Sequence, residues 1–172
     1  MKRLLVLLIA LVLVAFIGCS RDKSTEDKVM KEQNKSAVRR VWEGFNAHNL
    51  EVWDELHTPN FINHDPGLPV PDADLQTLKE ILGGLQAAFP DLKSSEEDLI
   101  SEGDKIVTRR TFRGTHKGEF MGVVASGNEV TITGIFIDRL TGGKIEERWV
   151  VFDTLGLMQQ IGGIPAPEGA EK

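Results

Sequence analysis

The sequence has no tyrosine, a single cysteine and only four histidines. One cysteine excludes an internal disulfide and a cysteine-rich zinc site. The histidines show no HExxH-type spacing, so no metal is expected. There is no phosphate-cradling glycine loop, no GxSxG elbow and no internal repeat, and no cofactor is expected. Bases are outnumbered, with 20 Lys+Arg against 26 Asp+Glu and a net charge of −6. That balance lacks the basic stripe needed to grip a phosphate backbone, so no nucleic-acid partner is expected. What is present, 172 residues at 41% hydrophobic and 27% charged, suits one globular domain.

The longest apolar run is at the start. Lys2-Arg3 precede an unbroken apolar stretch from Leu4 to Ile17, followed by Gly18-Cys19. As a helix this stretch would span roughly 21 Å, short of the roughly 30 Å hydrocarbon core, which fits an export signal better than a membrane span. Phe16-Ile17-Gly18-Cys19 resembles the lipobox of bacterial lipoproteins. The resemblance implies a signal over 1–18, lipid on Cys19 and a bacterial envelope location, on the outer membrane facing the periplasm in a Gram-negative host. A polar tether over 19–35, a folded domain over 36–164 and a loose tail over 165–172 complete the expected organisation. Without Lys2 and Arg3, the 20 bases fall to 18 against 26 acids, a net of −8.

Within the folded domain, Val38, Val41, Trp42 and Phe45 fall at helical spacing and predict an amphipathic helix over roughly 26–48. Leu50, Trp53 and Leu56 predict a short second helix stopped by Pro59. Leu75, Leu78, Leu82, Leu85 and Phe89 form the stripe of a third helix, capped by Asp72 or Asp74 and ended by Pro90. Beyond it the texture is β. Leu92–Ser101 and Lys105–Thr115 flank a Glu102-Gly103-Asp104 turn, and EVTITGIFIDRL and KIEERWVVFD flank Gly142-Gly143. The expected fold is α+β: a curved antiparallel sheet of about four to six strands wrapped around three N-terminal helices, enclosing a cone-shaped apolar cavity.

Strand alternation sorts the two faces. Gly134, Phe136 and Asp138 share one face of the third strand; Arg148, Val150 and Phe152 share one face of the last. The opposite face carries Ile135, Ile137, Trp149 and Val151, an apolar set that predicts a homodimer.

Four segments in order, FNAHNLEVWDELHTPNFINHDP, LGGLQAAFPDLKSSEEDLISEGDKIV, GTHKGEFMGV and GGKIEERWVVFDTLGLMQQIG, resemble the SnoaL-like polyketide cyclase family, also described as predicted ester cyclases. The resemblance covers about residues 36–162. It implies the nuclear-transport-factor-2-like fold and a cofactor-free aldol ring closure on a polyketide methyl ester. In that chemistry a pocket carboxylic acid moves the proton, while a histidine, a glutamine and an asparagine place the substrate. Those four roles fall on Val150, Phe136, Gly134 and Asn63 of this chain.

Because Val150 cannot move a proton, Asp138 and His64 are the candidate catalytic groups, with Asp138 and Phe136 exchanging the places of acid and aromatic. Asp138 also reads as half of an ion pair with Arg148 or Arg110. Asn63-His64-Asp65-Pro66 reads as a cavity-mouth segment or as turn chemistry. Trp42, Phe45, Asn63, Phe136, Arg148, Val150 and Phe152 are the candidate substrate-binding residues. His116 reads as a surface-loop residue, and His48 and His57 as helix ends. Three functions follow: an acid–base enzyme on a small apolar ester or carbonyl compound, a non-catalytic membrane-tethered binder of a small hydrophobic ligand, or an envelope interaction protein whose pocket is vestigial.

Overall fold

A computed structural model describes residues 23–165. The proposed signal and Cys19 lie outside the described residues, as does the tail from residue 166. Contacts divide the chain into two units, residues 1–30 and 31–172, and apart from the start of the first helix everything below concerns the second.

Helix α1 (Lys23–Asn46) begins inside the expected tether and stops two residues short of the expected end. Val38, Val41, Trp42 and Phe45 are buried, as their spacing predicts. His48 then takes a positive φ of 56° and turns the chain back. The return passes close over Gly44, where a Cβ would lie 2.4 Å from Val52 Cγ1. The second helix shrinks to one turn, α2 (Trp53–Leu56), and runs directly into strand β1 (His57–His64). Pro59 therefore does not end a helix. It sits inside a strand, within the register shift between His57 and Ile62, where a missing N–H is tolerated.

Strand β2 (Asp72–Ala73) is short, and helix α3 (Leu75–Ala88) follows, with Asp74 accepting from Thr77 N at 2.8 Å as its cap. Strands β3 (Lys93–Glu102), β4 (Lys105–Thr115), β5 (Glu129–Thr141) and β6 (Lys144–Phe152) form antiparallel hairpins. The β5–β6 turn needs left-handed backbone, and Gly142 and Gly143 supply it at φ 59° and 78°. A last helix, α4 (Thr154–Gln160), is capped by Asp153, which accepts from Gly156 N.

The sheet corrects the expected fold class. It is mixed, in the order β2-β1-β6-β5-β4-β3, with β1 parallel to β6. The strand order is open: β2 and β3 are edges that do not meet, so the sheet does not close into a cone or a barrel. Nor do three N-terminal helices fill it, since α2 is a single turn, α3 lies between β2 and β3, and α4 follows β6. The non-local β1–β6 pair brings Asn63 opposite Arg148, and this contact organises the site.

Candidate functional site

A cavity of about 180 Å³ opens between the inner face of the sheet, helices α1, α3 and α4, and the segment after β1. An apolar cavity of about 150 Å³ is enough to hold benzene. Leu78, Leu82 and Leu85 of α3, Phe112 of β4 and Leu157 of α4 make the wall apolar. Trp42, Phe45, Asn63, Phe136, Arg148, Val150 and Phe152 all line it. Register explains the grouping on β5 and β6: Gly134 faces Phe152, Phe136 faces Val150, and Asp138 faces Arg148.

Asp138 and His64 are not among the lining residues. Asp138 is fully buried behind Arg148, whose Nε donates to its Oδ1 at 2.6 Å. His64 projects from the opposite face of the sheet, because it alternates with Asn63 along β1. Its Nδ1 lies 2.6 Å from Asp72 Oδ1 and its Nε2 2.8 Å from Glu147 Oε1, and its ring stacks on Trp149. Hydrogen bonds to Asp72 and then to Glu147 raise its pKa.

Exposed His48 follows the end of α1 and His57 is the C-cap of α2, so both sit at helix ends as expected, whereas His57 and His116 are also packing residues. His57 opens β1, stacks on Trp53 and bonds Trp53 O through Nδ1; burial pushes its pKa down to about 3, so it is neutral at pH 7. His116 is fully buried against Phe89 and is no surface-loop residue.

Asp65 went unremarked in the sequence as an acid, yet it is the one carboxyl group among the lining residues. It continues the Phe61, Asn63 alternation one residue beyond β1, and that pattern is the signal that could have found it. Its Oδ1 accepts from Gly67 N at 2.9 Å, and its backbone N–H binds Pro71 O, which fixes the mouth segment. Burial raises its pKa, only partly opposed by the Gly67 N–H.

The wall also carries donors. Trp42 Nε1, Asn63 Nδ2 and Arg148 Nη2 are buried without a hydrogen-bond partner. The Arg148 guanidinium lies 5.3 Å from the Trp42 ring, and that of Arg110 lies 4.5 Å from it. Burial lowers the pKa of Arg110 to about 10, which leaves it charged at neutral pH. Among the described residues no group of three or more His, Cys, Asp or Glu could hold a metal ion.

Comparison with known proteins gives this arrangement a context. The profile of the SnoaL-like polyketide cyclase family matches residues 35–161. Aklanonic acid methyl ester cyclase DnrD of Streptomyces peucetius is 29% identical over 139 residues, 77% of this chain and 93% of the relative. DauD of Streptomyces sp. strain C5, a cyclase of the same description, is 28% identical over 77% of this chain and 84% of its own. The solved structure of IdmH, a candidate polyketide cyclase from Streptomyces antibioticus, superposes with a TM-score of 0.67 at 31% identity, covering 76% of this chain and 99% of that one.

These relatives overturn the expected lipid-anchored envelope location, since they are described as methyl ester cyclases and not as membrane lipoproteins. Among the described residues no helix is long and apolar enough to cross a membrane. The chain belongs to the SnoaL-like polyketide cyclase family.

Proposed function

We propose, with membership of that family as the premise, that the chain is a cofactor-free acid–base enzyme acting on a small apolar carbonyl or ester compound. The observation that carries this reading is Asp65: one carboxyl group in an otherwise apolar pocket, its pKa raised by burial. A base of that kind is matched to removing a proton from carbon next to a carbonyl.

The reaction balances without an added reactant. Ionised Asp65 takes the proton, the enolate carbon bonds to a second carbonyl carbon of the same molecule, and the resulting alkoxide recovers the proton from Asp65. One carbon–carbon bond forms and nothing leaves. Asp65 then does in this chain what the family's acid does at the position of Val150. Asp138, bonded to Arg148 and screened from the pocket by it, is a positioning residue.

Incubating the full chain with a panel of small 1,5-diketones and keto esters, with chromatography of the products, tests the reading. Turnover should appear and should fall by about 10²–10⁴-fold in Asp65→Asn. Undiminished turnover in that variant would remove Asp65 from the chemistry.

The homodimer belongs to the same proposal. Ile135 and Val151 are register partners on the outer face, 45% and 71% exposed, and Ile62 lies on that face too. A second copy of the chain would cover them.

A further inference from the structure

Three residues that line one pocket each hold a buried nitrogen donor without a hydrogen-bond partner: Trp42 Nε1, Asn63 Nδ2 and Arg148 Nη2. Their residues are neighbours. Asn63 and Arg148 are partners across the parallel β1–β6 pair, and the Arg148 guanidinium lies 5.3 Å from the Trp42 ring. All three are 4% exposed or less. Buried polar groups in native proteins are nearly always partnered, and each one left bare costs roughly 1–3 kcal/mol. Asp138 Oδ2, beside Arg148, is also without a partner, and three unmet donors beside one unmet acceptor favour a ligand that brings acceptor oxygens.

Charge narrows the acceptor. Two buried guanidiniums, Arg110 and Arg148, flank Trp42, and Asp138, fully buried, is paired with Arg148. Glu96, 3.6 Å from Arg110 Nη1, is partly exposed and therefore screened by water. Asp65 lines the same pocket, but among the described residues no ion pair joins it to either guanidinium. The unmet donors thus lie beside a second buried guanidinium, that of Arg110 behind Trp42, whose acidic neighbour is partly exposed. A carboxylate meets both, since its two oxygens can accept from a guanidinium and a neighbouring N–H together. A methyl ester brings one good acceptor and no charge.

We propose that Trp42, Asn63 and Arg148 form a carboxylate subsite, and that the substrate is an apolar molecule bearing a free, ionised carboxyl group. Its acid end sits on the three donors and its apolar body lies along Leu78, Leu82 and Phe112. This rests on the reading of the pocket given above and narrows its substrate class, away from the methyl esters for which the relatives are named.

Calorimetric titration of the full chain with 3-phenylpropanoate and with its methyl ester tests the subsite. The acid should bind at least tenfold more tightly than the ester. Trp42→Phe keeps the ring and removes one N–H, and Asn63→Ala removes another. Each should weaken the acid at least fivefold and the ester distinctly less, with circular dichroism confirming the fold. Equal or tighter binding of the ester, or equal weakening of both probes by the variants, overturns the carboxylate subsite and leaves the pocket reading standing. If neither probe binds, both ideas fall.

Discussion

Arg148 Nε donates to Asp138 Oδ1 over 2.6 Å between adjacent strands, with both side chains buried. Removing either partner leaves the other as an unpaired charge in a low-dielectric interior, a loss of about 3–5 kcal/mol. Asp138→Leu and Arg148→Met should each destabilise by that order in urea unfolding. The double variant should recover most of the loss, because two apolar groups of similar bulk need no partner. Singles that lose less than about 1 kcal/mol would show that the pair is not isolated from water.

The histidines His57 and His64 should give stability opposite pH dependences. The folded pKa of His57 is lowered to about 3 by burial, below an unfolded value of about 6.5. Its contribution is therefore complete above about pH 6.5 and is lost as the pH falls towards 3. The folded pKa of His64 is raised by Asp72 and Glu147. Its contribution is complete below about pH 6.5 and is lost as the pH rises through the folded value. In thermal melts from pH 4 to 9, His57→Gln should flatten the acid side and His64→Gln the side above about 6.5. A profile that neither variant alters would contradict both assignments.

Much of this site was legible because strands have a period of two. Alternation along β5 and β6 placed Phe136, Asp138, Arg148, Val150 and Phe152 on one face, and antiparallel register then brought them together. Strand β1 was hidden. His57-Thr58-Pro59 reads locally as the end of a helix, and only pairing with β6, more than eighty residues away, makes it a strand. Missing β1 cost the distinction between Asn63 and His64, which share a motif and face opposite ways. It also concealed Asp65, whose neighbours Pro66 and Gly67 look like turn chemistry alone.

If Asp65 is the base, its protonation sets the acid limb of kcat/KM. Because burial raises its pKa, that limb should lie above the usual carboxylate value of about 3.9. Activity should therefore fall with decreasing pH earlier than an exposed aspartate would allow. A limb at or below about 3.9 would exclude Asp65 as the titrating group.

The outer face makes a separate prediction. Ile135→Lys with Val151→Lys places two charges where a second copy would pack. Sedimentation velocity should show a dimer for the parent chain and a monomer for this variant. A parent chain that sediments as a monomer at tens of micromolar would remove the dimer from the proposal.

Gly134 links the backbone of β5 to the size of the pocket. A Cβ built there would lie 2.9 Å from Phe136 Cε2 and 3.0 Å from Phe152 Cδ2, two rings that line the cavity. The clash is with side chains and not with backbone, so the strand can keep its register while the rings move. Trp42 already packs on Phe136 at 4.7 Å and Phe112 on Phe152 at 5.2 Å, which favours movement into the cavity. Gly134→Ala should thus leave the fold intact at a cost of about 1–3 kcal/mol from overpacking, while weakening the bulkier of two homologous ligands more than the smaller. Titration with 3-phenylpropanoate and its 4-tert-butyl derivative would measure that difference. Equal weakening of the two would mean that the rings give way elsewhere and that Gly134 does not set the pocket's size.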